Sequence, residues 1–167
     1  LKIRVQQSPT NVEMMRLLGG TATPMGFGDV YTALQAGILD GAENNELALT
    51  DNGHGDICKY YSYDMHQMVP DLLVANYEFL QNLSDEERAI FDEGFEIVKQ
   101  VEQDAWADAV EAAKDKATNE QHVNFLYPDT APFQEAMAPL HTSVLESNPE
   151  LQPIYDLIQQ HNADYTA

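Results

Sequence analysis

The chain has 167 residues, 44% of them hydrophobic and 22% charged, with nine Gly and eight Pro. That is enough for one globular domain with a real core, and it excludes a disordered or collagen-like chain. The 28 acidic against 8 basic residues leave a formal net charge of −20, which repels phosphate backbones and anionic lipids and excludes a nucleic-acid partner.

Leu1, Ile3 and Val5 alternate with Lys2, Arg4 and Gln6, the period-two pattern of a strand with one buried face. Chains seldom open inside a core strand, and Leu1 is not Met. A processed or cut piece of a longer protein is therefore expected. Ser8-Pro9 suits the start of a helix that carries Val12, Met15 and Leu18, and Gly19-Gly20 suits its stop. A short extended piece from Ala22 to Met25 leads through Gly26-Phe27-Gly28 to a second helix, with Val30, Ala33, Leu34 and Ile38 on its apolar side. Residues 42–45 read as extended. Residues 46–57 read as a short helix, then a loop at Gly53-His54-Gly55. Lys59 to Met68 reads as a Tyr-rich strand, and the apolar run Leu72–Ala75 as a buried one.

Ser84-Asp85-Glu86-Glu87 is a capping box. It opens a helix expected to run to about Asn119, with Phe91, Phe95, Val98, Val101, Ala105, Ala109 and Ala112 along one side. Val123–Tyr127 reads as a strand, and two helices follow near 131–146 and 150–163, split by Asn148-Pro149. Strands and helices interleave, so the fold class is α/β. No apolar run approaches the ~20 residues of a membrane-spanning helix.

Four groups of residues invite a functional reading. Arg4 lies near the end of the first strand, where a guanidinium can hold a carboxylate through two parallel hydrogen bonds. The plainer alternative is a surface Arg paired with one of many acids. Phe27, between two glycines, sits where backbone or ligand can approach closely, or simply plugs a loop corner. Glu43-Asn44-Asn45 offers donors and acceptors for carboxylates and hydroxyls, or ordinary turn chemistry. His54, Asp56 and Cys58 would share a face on a strand. No second cluster completes a metal site, however, and no third group or oxyanion motif completes a Cys–His pair. Cys58 is the single cysteine, so it makes no internal disulfide. Met14-Met15, Trp106 and the acids of residues 84–119 read as packing and solvated surface. No metal and no cofactor is implied.

The order of these pieces is more specific than any one of them. Leu1-Lys2-Ile3-Arg4-Val5-Gln6 precedes Pro24-Met25-Gly26-Phe27-Gly28-Asp29-Val30-Tyr31-Thr32-Ala33-Leu34-Gln35, and Asp40-Gly41-Ala42-Glu43-Asn44 follows. This resembles the C-terminal half of the solute-binding proteins of TRAP transporters, the DctP family. The resemblance covers essentially the whole chain and is densest over residues 1–45.

It implies a two-lobed, periplasmic binding protein-like fold, of which this chain makes mainly the second lobe. Residues 1–69 and 110–167 would belong to that lobe. Residues 70–109 would be a crossing segment of the first lobe, whose N-terminal half lies outside the chain. The resemblance also implies a carboxylate-clamping role for Arg4, ligand packing for Phe27, a ligand hydrogen bond for Asn44 and a polar ligand contact for Gln7.

Many members carry Pro after the Glu-Asn pair, where this chain has Asn45. The doublet Asn44-Asn45, with Gly53-His54 and Lys59-Tyr60-Tyr61-Ser62 after it, is similar to a branch that binds sugar acids such as uronates. Glu43, Asn45 and His54 then become candidate hydroxyl partners. A C4-dicarboxylate or another hydroxy acid stays open as ligand. So does a hydrolase or lyase of sugar acids using Glu43 or His54, although no catalytic residues are assigned. An acidic interaction domain with no small ligand is a third possibility. The partners implied are a small organic acid, the membrane subunits of the transporter and the N-terminal half of the same protein. The location implied is extracytoplasmic, free in a periplasm or lipid-anchored. Without its N-terminal half, the chain would retain a fragment of it, swap or pack into an oligomer.

Overall fold

The computed structural model describes residues 1–165, with side chains through Asn162. Two compact units divide it. The first comprises Leu1–Glu43 with Tyr127 onwards, and the second Asn44–Leu126.

The first unit is built on a three-stranded parallel sheet. β1 (Lys2–Val5) lies between β2 (Thr21–Pro24) and β3 (Gly41–Ala42). Parallel neighbours need crossovers, and helices supply them. α1 (Pro9–Leu17) connects β1 to β2, with Ser8 extended at its N-cap and Gly19 at φ +81° after its end. α2 (Val30–Gln35), entered through a 3-10 turn at Phe27–Asp29, connects β2 to β3. Two later helices complete the unit, α7 (Ala131–Ser147) and α8 (Gln152–Tyr165). Met14 of α1 packs with Met137 and Leu140 of α7 in a small buried cluster.

One buried face does not describe β1. Leu1 is exposed, while Arg4 and Val5, successive residues on opposite faces, are both buried. A central parallel strand is covered on both sides, so its burial does not alternate. Ile38 is also exposed, and Leu39 takes the buried place beyond Gly37, whose φ is +69°.

In the second unit, α3 (Leu47–Thr50) and α4 (His54–Ile57) precede β4 (Tyr60–Ser62). His54 therefore opens a helix after Gly53, at φ +69°, instead of sitting in a loop. The strand expected over Lys59–Met68 shrinks to the three residues that pair in parallel with β5 (Asn124–Leu126). After α5 (Tyr77–Gln81), α6 (Asp85–Asn119) follows the expected span, and the reciprocal Ser84–Glu87 capping box is present. Only its last turns reach a core: Ala117 packs with Leu49 and Val123, flanked by Tyr61 and Phe125.

The Leu72–Ala75 run is not a buried strand. It has no regular structure, and Leu72, Leu73 and Val74 are exposed. The apolar stripe of α6 is exposed as well at Phe91, Val98 and Val101, and Trp106 is 41% exposed. A strand needs a neighbour to take its backbone hydrogen bonds, and no described strand pairs with 72–75.

Polar contacts stitch α3, α4 and α6 together. Gln121, buried, donates from Nε2 to the Leu49 carbonyl (2.9 Å) and to Asp56 Oδ1 (3.2 Å). Lys59 Nζ donates to the carbonyls of Gly55 and Gln121, each at 2.8 Å. A Cβ on Gly55 would stand 2.3 Å from Gln121 Oε1 and 2.7 Å from its Cδ. Gly55→Ala must displace a pinned, buried amide. A loss of about 1–3 kcal/mol in urea unfolding is expected, and a wild-type midpoint would show that the amide moves freely.

Candidate functional site

The strand order β2-β1-β3 makes β1 a switch point. The chain leaves it to one side for β2 and returns on the other for β3. In open parallel sheets ligands bind beyond the carboxyl ends of the strands at such a point. Arg4 and Gln7 lie at that end of β1, Met25 and Phe27 follow β2, and Glu43 follows β3.

Arg4 is only 5% exposed, far from a surface Arg. Its Nε and Nη2 both donate to the Met25 carbonyl, at 3.1 and 3.0 Å. Nη1 donates to Glu43 Oε1 at 3.4 Å, and Glu43 is itself buried. The local fold places Glu43 there, because its N–H donates to the Arg4 carbonyl and extends the β1–β3 ladder by one residue. The Arg4 Cζ stands 5.7 Å from the centroid of the Phe27 ring, within cation–π range.

A guanidinium has five N–H groups. These bonds use one on Nε, one on Nη2 and one on Nη1. One N–H on each Nη nitrogen has no partner among the described residues. The backbone on either side of Phe27 is uncrowded. A Cβ on Gly28 would meet nothing within 4 Å, and one on Gly26 only Asp29 Oδ2 at 3.6 Å. Phe27 is 43% exposed, so it is not a core plug. Gln7 sits exposed in the bend after β1.

The second unit begins at Asn44. Asn44 Oδ1 accepts from the Asn45 N–H (2.8 Å), and Asn45 Oδ1 from the Leu47 N–H (3.1 Å). Tyr61 Oη donates to the Asn44 carbonyl at 2.9 Å. Burial, with the charges of Glu46 and Asp64 adding to it, raises the Tyr61 pKa well above the usual phenol value, so it remains a donor. Its ring packs against Tyr63 and Phe125.

His54 is buried at the start of α4. His54, Asp56 and Cys58 follow a helical turn and do not share a strand face. Among the described residues no group of three His, Cys, Asp or Glu side chains could hold a metal ion. Burial pushes the Cys58 thiol up, against the opposing charge of Lys59. Burial also works to raise Asp64, but the hydrogen bond from His66 Nδ1 at 2.6 Å, the His66 charge and backbone N–H groups outweigh it and hold the carboxyl below its ordinary value.

Sequence reasoning missed the Met25 carbonyl and Tyr61. A backbone acceptor leaves no trace in side-chain identity. Tyr61 stands in a run with Tyr60 and Tyr63 that reads as strand composition.

This is the architecture of an α/β binding protein, with a buried guanidinium presented at the ends of parallel strands. The family model of bacterial extracellular solute-binding protein, family 7 (DctP), matches residues 1–148, and the chain belongs to that family. YiiZ of Salmonella typhimurium is 40% identical over 158 residues, covering 95% of this chain and 48% of that protein. A TRAP periplasmic solute-binding protein of Anaerococcus prevotii, solved with bound α/β-D-glucuronate, is 62% identical with a TM-score of 0.89 over 99% of this chain and 53% of that one. Another, from Sulfitobacter with bound β-D-galacturonate, is 30% identical with a TM-score of 0.85 over 94% of this chain and 52% of that one. The chain thus spans about half the length of the relatives it matches.

Two outcomes check the local chemistry. A thiol raised by burial is sparingly ionised near neutrality, so Cys58 should react with iodoacetamide more slowly than a free cysteine peptide. Equal rates would mean an accessible thiolate. A carboxyl lowered by folding stabilises fully above its unfolded value of about 4 and loses that contribution as pH falls through its lower folded value. Asp64→Asn should flatten the acid limb of stability against pH, and an unchanged limb would assign acid sensitivity elsewhere.

Proposed function

We propose that this chain is the C-terminal half of the extracytoplasmic solute-binding subunit of a TRAP transporter, and that it captures a sugar acid of the uronate class. The observation that carries the reading is the buried Arg4, anchored along one edge at the switch point of the sheet and with two N–H groups that have no partner among the described residues. The identities of the ligands held by the Anaerococcus and Sulfitobacter proteins support the ligand class.

In this mechanism Arg4 grips the carboxylate and Phe27 covers one face of the sugar. Asn44 binds its oxygens, while Glu43 and Asn45 meet its hydroxyls. Gln7 and His54 are further ligand-facing candidates. Capture ends in lobe closure, which excludes water, and delivery is to the membrane subunits. No bond is made or broken. The net charge of −20 slows encounter with an anion without forbidding it, because charges beyond ~8 Å are screened at physiological salt and a buried contact is not.

The lobe assignment belongs to this reading: residues 1–69 and 110–167 in the second lobe, 70–109 in the first. The exposed Leu72, Leu73 and Val74, and the exposed stripe of α6 at Phe91, Val98 and Val101, support it. Apolar surface of that extent needs a cover. The N-terminal half of the protein would supply it, and the isolated chain would satisfy the same surface by swapping or packing into an oligomer.

Calorimetry on the full-length protein tests the reading. D-Glucuronate or D-galacturonate should bind, and Arg4→Lys, in protein that circular dichroism shows to be folded, should weaken binding by ~2–5 kcal/mol. Unchanged affinity defeats the clamp. Selective binding of C4-dicarboxylates moves the ligand class, and conversion of the uronate to product overturns capture.

A further inference from the structure

Asn44 and Asn45 carry two side-chain amides, each with one acceptor oxygen and two donor hydrogens. In this chain both oxygens are already occupied by backbone. Asn44 Oδ1 holds the Asn45 N–H at 2.8 Å, and Asn45 Oδ1 holds the Leu47 N–H at 3.1 Å. Each amide is therefore fixed with its oxygen turned to the main chain. The NH2 group is the end turned away from it. Free Asn side chains can present either end, and these are biased to present donors.

The main chain of the turn is held as well. Tyr61 Oη donates to the Asn44 carbonyl at 2.9 Å. Tyr61 is seated by Tyr63, with ring centroids 5.1 Å apart, and by Phe125 at 5.5 Å. Phe125 belongs to β5, which pairs with β4 through Tyr61↔Phe125. The asparagine turn is thus fastened to the second sheet through one phenol.

The identity of residue 45 matters for a reason independent of its side chain. The lock on Asn44 needs a backbone N–H at position 45, and proline has none. A Glu-Asn-Pro sequence cannot make this bond, and Asn44-Asn45 can.

We propose that the Tyr61 hydroxyl and the Asn45 backbone N–H are positioning groups that lock Asn44 with its NH2 group turned outward, so that this turn favours acceptor oxygens, the carboxylate and ring or hydroxyl lone pairs, of the captured acid. The proposal rests on the sugar-acid reading and assigns within it the source of the turn's selectivity.

The test uses the full-length protein, D-glucuronate as probe, calorimetry for affinity and amide hydrogen exchange for the lock. Tyr61→Phe removes one hydroxyl. It should weaken binding roughly three- to tenfold and speed exchange at the Asn45 N–H, with the melting temperature little changed. In an Asn44→Ala background the same Tyr61→Phe change should have no further effect on affinity, because Tyr61 acts through Asn44. Asn45→Pro, which removes the N–H, should weaken binding more than Asn45→Ala, which keeps it. Unchanged affinity and exchange in Tyr61→Phe, additive losses in the double variant, or equal losses in Asn45→Pro and Asn45→Ala would each overturn the proposal. If the wild-type protein ignores both uronates, the sugar-acid reading fails, and Asn45 exchange in Tyr61→Phe still decides whether the lock exists.

Discussion

The first unit is organised around a buried guanidinium. Arg4 sits on a central strand with almost no exposure, and a charge there is tolerated only when it is paired and hydrogen-bonded. The Met25 carbonyl takes one edge and the Glu43 carboxylate takes Nη1. Both partners arrive through the same device, the parallel ladder on either side of β1, which continues one residue beyond β2 at Met25 and one beyond β3 at Glu43. The sheet register therefore sets the geometry of the cation. In the proposed capture of an anion the same burial would help, because a group already stripped of water and oriented loses little more on binding.

The second unit solves a related problem with neutral groups. Its short elements, four-residue helices and three-residue strands, bury little apolar surface each. Side-chain bonds to backbone do much of the joining. Gln121 ties α3 and α4 to the segment after α6, Lys59 ties two carbonyls together, and Tyr61 ties the asparagine turn to the β4–β5 pair. Such bonds are short-ranged and directional, and they hold the Asn44 and Asn45 amides in one orientation. Gly55 belongs to the same scheme, since Gln121 occupies the space a side chain would need.

The long helix α6 shows both regimes along one element. Its N-terminus is a self-contained capping box in solvent, and its last turns bury Ala113 and Ala117. Between them runs an apolar stripe that remains exposed, along with the 72–74 run that precedes it. An amphipathic pattern states that a face expects a partner. Whether the partner is in the same chain is a separate matter, and here the chain spans about half the length of its relatives.

Local rules carried far in this protein. The capping box set the start of α6, Ser8-Pro9 and Gly19 bracketed α1, and the ordered string from Arg4 through Phe27 to Asn44 was specific enough to indicate a family before any coordinates. These signals reside in neighbouring residues and in turn chemistry, which a linear sequence preserves. Tertiary structure decided the rest, because it depends on what stands opposite. It buried Arg4 by lengthening two ladders, turned Leu72–Val74 outward for want of a strand to pair with, and put His54 in a helix. It also chose a backbone carbonyl at Met25 and a phenol at Tyr61 as the anchors. Neither anchor is marked in sequence, since a carbonyl is the same at every residue and a tyrosine becomes a tether only when folding brings it to the oxygen it holds.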